Sequence, residues 1–191
     1  MSHALIAAAA VALYLASTIA IGLRLFRADG PWVPPRTAAI WLGFGGLALH
    51  TWLVYEGIFS HPGLNLGFFN ALALTSWTVV TLLLFSSLTK PVENLGLFLL
   101  PMAALTLYLD ARYPSASFMP QAAGWNLKIH VLISMLAYSL LTLASVQAIL
   151  LAIQDSHLHS RHPGGFIRAL PPLQTMESLL FEMIAAGFVL L

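Results

Sequence analysis

From Ser2 to Leu23 the chain carries no Lys, Arg, Asp or Glu. A helix over those 22 residues rises roughly 33 Å, enough to cross a hydrocarbon core of about 30 Å. The pattern then recurs. Thr37–Phe59 carries no Lys, Arg, Asp or Glu apart from Glu56 near its end, and Gly67–Leu88 carries none. A fourth, shorter stretch runs from Glu93 to about Leu109 and contains Pro101, which predicts a kink because proline lacks the backbone donor. Asn126 to about Ile153 and a segment from about Leu173 complete the set. Gly30-Pro31, Pro34-Pro35, Ser60–Gly63, Lys90-Pro91, the 110–125 stretch and the polar segment Gln154–Arg168 separate these runs, with proline and glycine as breakers.

The expectation is an all-α, polytopic transmembrane helical bundle with six spans, forming one domain over residues 1–191. The last span stops inside the apolar run Ala185–Leu191 without a cap or turn, so it reads as cut short, with a C-terminal part missing. Composition agrees with the spans. Only 8% of residues are charged and the mean hydropathy is +0.86, against about 25% charge in a soluble domain. A water-facing enzyme is excluded by that figure, and the unbroken runs exclude a β-barrel. The first segment has its basic residues behind it, unlike a signal peptide, and reads as a retained helix.

The eight basic residues matter by position. Arg24, Arg27, Arg36, Lys90, Arg161 and Arg168 follow helices one, three and five, whereas Arg112 and Lys128 lie on the other side. The positive-inside rule then places the N-terminus outside. No basic field exists to attract nucleic acid. With no cysteine, there is no disulfide, thiol catalysis or CxxCH heme attachment. Zinc-protease, nucleophile-elbow, phosphate-loop and dinucleotide motifs are also missing, so no catalytic residue is assigned.

Seven histidines are the main chemical question. His50 lies within the second span, and Gly43, His50 and Gly57 recur at seven-residue spacing. That nearly bare face suits either a flat prosthetic group ligated by imidazole or close packing of another helix with His50 bonded across the interface. His130 opens the fifth span, with Ser134, Ala137 and Tyr138 on about its face; it reads as an outward ligand or as a solvated interfacial histidine. His3, His61, His157, His159 and His162 fall at a terminus, in a turn or in the polar loop, and no metal site is assigned to them. Among the carboxylates, Glu56 and Asp110 sit at outer helix ends and Glu177 near the start of helix six. Glu182 lies deeper, where it suits a proton or cation path, or pairing with residues beyond Leu191. Trp32, Trp41, Trp52, Trp77 and Trp125 fit interfacial anchors.

Several short stretches, taken together, carry a resemblance. They are Ala48-Leu49-His50; Leu64–Trp77, with Asn65-Leu66-Gly67 and Phe69-Asn70-Ala71; Leu95–Pro101; HVLISMLAY from His130 to Tyr138; ASVQA from Ala144 to Ala148; and LPPLQTMESLLF from Leu170 to Phe181. The chain resembles the transmembrane cytochrome c assembly family, in its shorter HemX-like branch. That resemblance implies residence in a bacterial inner membrane, about eight membrane helices, and heme as cofactor. It also implies His50 as a ligand within the membrane and His130 as an outward one, each pairing with a histidine in helices beyond Leu191. The implied partners are the lipid bilayer, heme and other cytochrome c assembly proteins. The heme-attaching branch has a tryptophan-rich outward loop before the His130 position, whereas Trp125 stands alone here. The resemblance therefore implies an accessory role and not heme attachment. Two other classes stay open: a component of divalent cation resistance or transport using Glu182, Glu56 or His50, and a purely structural membrane partner.

Overall fold

Charge-free windows become helices because a backbone in lipid must satisfy its own donors and acceptors. The computed structural model describes residues 3–26, 33–59, 64–114, 117–118, 124–159 and 172–191. Its helices are α1 (His3–Phe26), α2 (Arg36–Val54), α3 (Phe68–Thr89), α4 (Gly96–Arg112), α5 (Trp125–His159) and α6 (Leu173–Leu190). A π-helical turn, Tyr55–Phe59, extends α2, and a 3-10 turn, Glu93–Leu95, leads into α4. With those turns included, six spans among the described residues are long and apolar enough to cross a membrane. The protein is an all-α polytopic transmembrane bundle.

Successive helices run antiparallel. Tyr14 of α1 meets Gly46 and His50 of α2, while Arg24 donates to the Pro34 carbonyl at 2.9 Å. Ser76 of α3 meets Thr106 of α4, and Gly187 of α6 packs on Leu141 and the Ala137 carbonyl of α5. Helices α1–α4 share one core in which Tyr14, Val80, Leu100 and Leu107 are fully buried. Helix α5 joins it along α3, where the Ser139 hydroxyl is buried.

The two ends of the bundle are tied differently. At the Arg36 end, the guanidinium bridges Glu93 through Nε at 2.7 Å and Nη2 at 3.1 Å, and Nη2 also donates to the Ser87 carbonyl at 2.6 Å. One side chain at the start of α2 thus fixes the end of α3 and the entry to α4. At the His3 end, two connections pair: Leu66 N–H donates to the Ser117 carbonyl, and Ser117 N–H to Asn65 Oδ1, both at 2.9 Å.

Two expectations need correcting. The fifth helix does not stop near Ile153 but continues to His159, 35 residues or about 52 Å. Gln154, Asp155 and Ser156 add polarity without a breaker, so the helix persists. His157 is therefore helical, and its Nδ1–H donates to the Ile153 carbonyl at 2.9 Å. The second span is not one regular helix either, since Glu56 and Gly57 sit on the π-helical turn. Pro101 is accommodated inside the continuous helix α4.

Candidate functional site

His50 lies at the centre of the α1–α4 core with none of its surface exposed. Its Nε2 is 3.2 Å from the Ala73 carbonyl, and its Nδ1 is 3.0 Å from the Tyr14 hydroxyl. A carbonyl only accepts, so Nε2 carries the proton and Nδ1 accepts from Tyr14. The phenol stands edge-on to the imidazole, with ring centroids 5.9 Å apart and planes at 73°.

The bare face of α2 is explained by what covers it. A Cβ on Gly46 would come 2.7 Å from the Tyr14 ring, and one on Gly43 would come 2.8 Å from Leu84. The flat group lying on Gly46 is the phenol of Tyr14, while Leu84 covers Gly43 and Asn70 stands against Gly57. Neither imidazole nitrogen of His50 is open, so this arrangement does not fit an axial heme ligand, which needs a free nitrogen lone pair facing the iron.

The polar contacts continue beyond His50. Ser76 Oγ lies 3.0 Å from the same Ala73 carbonyl and 2.6 Å from Thr106 Oγ1 of α4. Tyr14, His50, Ala73, Ser76 and Thr106 therefore form a transverse belt through four helices.

His130 has the opposite setting. It is exposed on the first turns of α5, at the His3 end, and Trp125 and Tyr138 of the same helix are exposed as well. Lys128 Nζ sits 5.7 Å from the centroid of the Trp125 ring. An exposed imidazole can offer a ring nitrogen to a metal such as heme iron, whereas Trp125 and Lys128, five and two residues before it, project from other sides of the helix. His50 and His130 thus do not share a cavity here: the first is enclosed by Tyr14 and Ala73, the second faces outward.

The carboxylates divide in the same way. At the His3 end, a cavity of about 230 Å³ is lined by His3, Glu56, Gly57, Asn65, Asn70, Asp110 and Pro114. Asp110 Oδ1 is buried there without a hydrogen-bond partner. The local spacing of Glu56 and Asp110 gave no sign that they meet round one cavity. The antiparallel course of α1, α2, α3 and α4 brings them together, along with Asn65 and Asn70. A larger, apolar groove of about 470 Å³ lies beside it between α1 and α4, with Tyr108 and Arg112 at its edge. Glu182 is not a solitary carboxylate, because Lys90 at the end of α3 holds it at 2.6 Å. Glu177 is exposed. His61 and His162 lie outside the described residues, as do Trp32 and the side chain of His159. Among the described residues, no group of three or more His, Asp or Glu is placed to hold a metal ion.

A sequence profile described as "Cytochrome C assembly protein" matches residues 40–191. The chain belongs to the cytochrome c assembly protein family. The match contains both His50 and His130 but leaves out α1, and so Tyr14. Among similar proteins, the "Uncharacterized 28.8 kDa protein in nifR3-like 5'region" of Azospirillum brasilense is 28% identical over 170 residues, covering 84% of this chain and 60% of that protein. The "Inner membrane protein YpjD" of Escherichia coli K12 is 27% identical over 188 residues, covering 95% and 68%. This chain therefore spans about 60% of the length of the Azospirillum relative and about two thirds of the E. coli one. No solved structure matches.

Proposed function

We propose that this chain is an accessory inner-membrane component of cytochrome c assembly that handles heme at the His3 end of the bundle, with that end facing away from the cytoplasm. The observation that carries the proposal is an open imidazole, His130, within the region that matches the cytochrome c assembly family. The E. coli relative is named an inner membrane protein, which supports the compartment. The orientation rests on Arg24, Arg36 and Lys90 at the Arg36 end, against Arg112 and Lys128 at the other. When bound, heme would supply an iron that takes an axial nitrogen ligand. His130 would offer that nitrogen.

Heme titration of the detergent-purified protein tests this. Wild type is expected to develop a ligated heme absorption band, and His130→Ala to lose or shift it. A wild-type protein that leaves the heme spectrum at its free value overturns the reading.

The second reading, a component of divalent cation resistance, is favoured by one observation: Glu56 and Asp110 line a single cavity. It predicts that Asp110→Asn alters the metal tolerance of cells while c-type cytochromes stay unchanged. Unchanged tolerance would remove it.

A further inference from the structure

We infer that His50 is a structural clamp at the centre of the four-helix belt, and that heme is handled without it. The bearing on heme rests on the proposed function above; the clamp does not.

Three observations converge. First, the donor and acceptor of the imidazole are both used inside the protein: Nε2–H on the Ala73 carbonyl at 3.2 Å and Nδ1 on the Tyr14 hydroxyl at 3.0 Å. The one lone pair a neutral imidazole could offer a metal is the one that Tyr14 occupies. Second, the enclosure is steric as well as polar. Tyr14 and His50 are both fully buried, and Gly46 lies so close to the phenol that a Cβ there would meet its Cδ1 at 2.7 Å. Opening His50 would require α1 to separate from α2. Third, the belt continues on the far side. Ser76 Oγ lies 3.0 Å from the same Ala73 carbonyl and 2.6 Å from Thr106 Oγ1, and Thr106 Oγ1 lies 2.8 Å from the Ala103 carbonyl, so whichever hydroxyl donates to the other, the chain ends on a backbone carbonyl.

This last point separates a clamp from a conduit. A proton relay needs groups that accept on one side and donate on the other, and a carbonyl oxygen only accepts. His50 donates to one such oxygen, which has no proton to hand on, and the Ser76–Thr106 pair also ends on a carbonyl. The belt instead satisfies five polar groups that have no water to turn to in a bilayer interior, and in doing so fixes how α1, α2, α3 and α4 face one another. His50 therefore serves neither as a metal ligand nor as a step in a proton path.

The experiment combines thermal unfolding in detergent with heme titration on wild type, Tyr14→Phe, His50→Gln and the double variant. The clamp predicts a lower Tm for Tyr14→Phe, a larger drop for His50→Gln, and a double variant no less stable than His50→Gln alone, because each change already breaks the shared bond. Heme affinity and band position stay at wild-type values in Tyr14→Phe and in His50→Gln. Tyr14→Phe keeps its ring against Gly46 and so provides a gentle probe even where His50→Gln does not fold; an unshifted Tm in that variant overturns the clamp. Additive Tm losses overturn it too, as does a heme band lost in folded His50→Gln but kept in Tyr14→Phe. Should wild type take up no heme, the proposed function fails, and the Tm comparison alone decides the clamp.

Discussion

Helices α1–α4 turn their central polar side chains on one another, whereas the α5–α6 hairpin holds most of its own outward. In the four-helix unit Tyr14, Ser17, His50 and Ser87 are sealed from the surface, and the first three bond across helices. On the hairpin, His130, Tyr138, Glu177 and Glu182 are exposed, although Ser139 and Gln147 turn inward. The difference follows from position. A polar group surrounded by four helices in a bilayer must be satisfied by protein, while one at a helix end can reach headgroups or water. Two histidines of one sequence therefore carry opposite burdens: one keeps helices in register, and the other is free to meet a ligand.

The contrast can be broken by crowding the sealed region. Gly46→Val drives a Cβ into the buried Tyr14 ring, and overpacking of this kind costs about 3 kcal/mol. Thermal unfolding in detergent should show the largest Tm loss for this variant, while Gly124→Ala, with nothing within 4 Å of the added Cβ, should leave Tm in place. Equal responses would mean that the two regions are packed alike.

Next in size is His50→Ala, which strands the Tyr14 hydroxyl and the His50 face of the Ala73 carbonyl. An unpaired buried polar group costs about 1–3 kcal/mol, and the emptied volume adds to it. Adding Tyr14→Phe to that background should recover part of the loss, since it removes the stranded hydroxyl. Glu182→Gln sharpens the other side of the comparison. The Lys90–Glu182 pair is short, but its side chains are 41% and 63% exposed, so solvent screening limits its worth to less than about 1 kcal/mol. Its Tm should fall less than that of His50→Ala. Smallest of all is His130→Ala, which touches no core contact: its unfolding curve should overlay that of wild type, with the effect confined to the heme spectrum.

How much of this could be read from the chain follows the same division. The six spans were legible because bilayer thickness imposes a length and Lys, Arg, Asp and Glu mark its borders. The extension of α5 was not, because polarity at Gln154 and Asp155 marks a change of surroundings and not the end of a helix. The Gly43–His50 face was legible as a place for something flat to approach. What approaches was not, since Tyr14 is 36 residues away and periodicity within α2 says nothing of α1. One signal was present. Tyr14 is the only aromatic residue between His3 and Leu25, and a buried phenol needs a partner for its hydroxyl. The cavity lined by Glu56, Asn65, Asn70 and Asp110 had no comparable sign, because its walls come from separate turns that meet only after the helices pack.

Nitrogen-15 NMR of the histidine rings, with and without heme, tests the central claim most directly. The His50 resonances, assigned by their loss in His50→Gln, should report a single neutral tautomer protonated at Nε2, exchange slowly with solvent, and keep their positions when heme is added. The His130 ring should exchange freely and change with heme. A His50 ring that exchanges as fast as His130, or whose nitrogens shift or broaden on heme addition, would contradict the account.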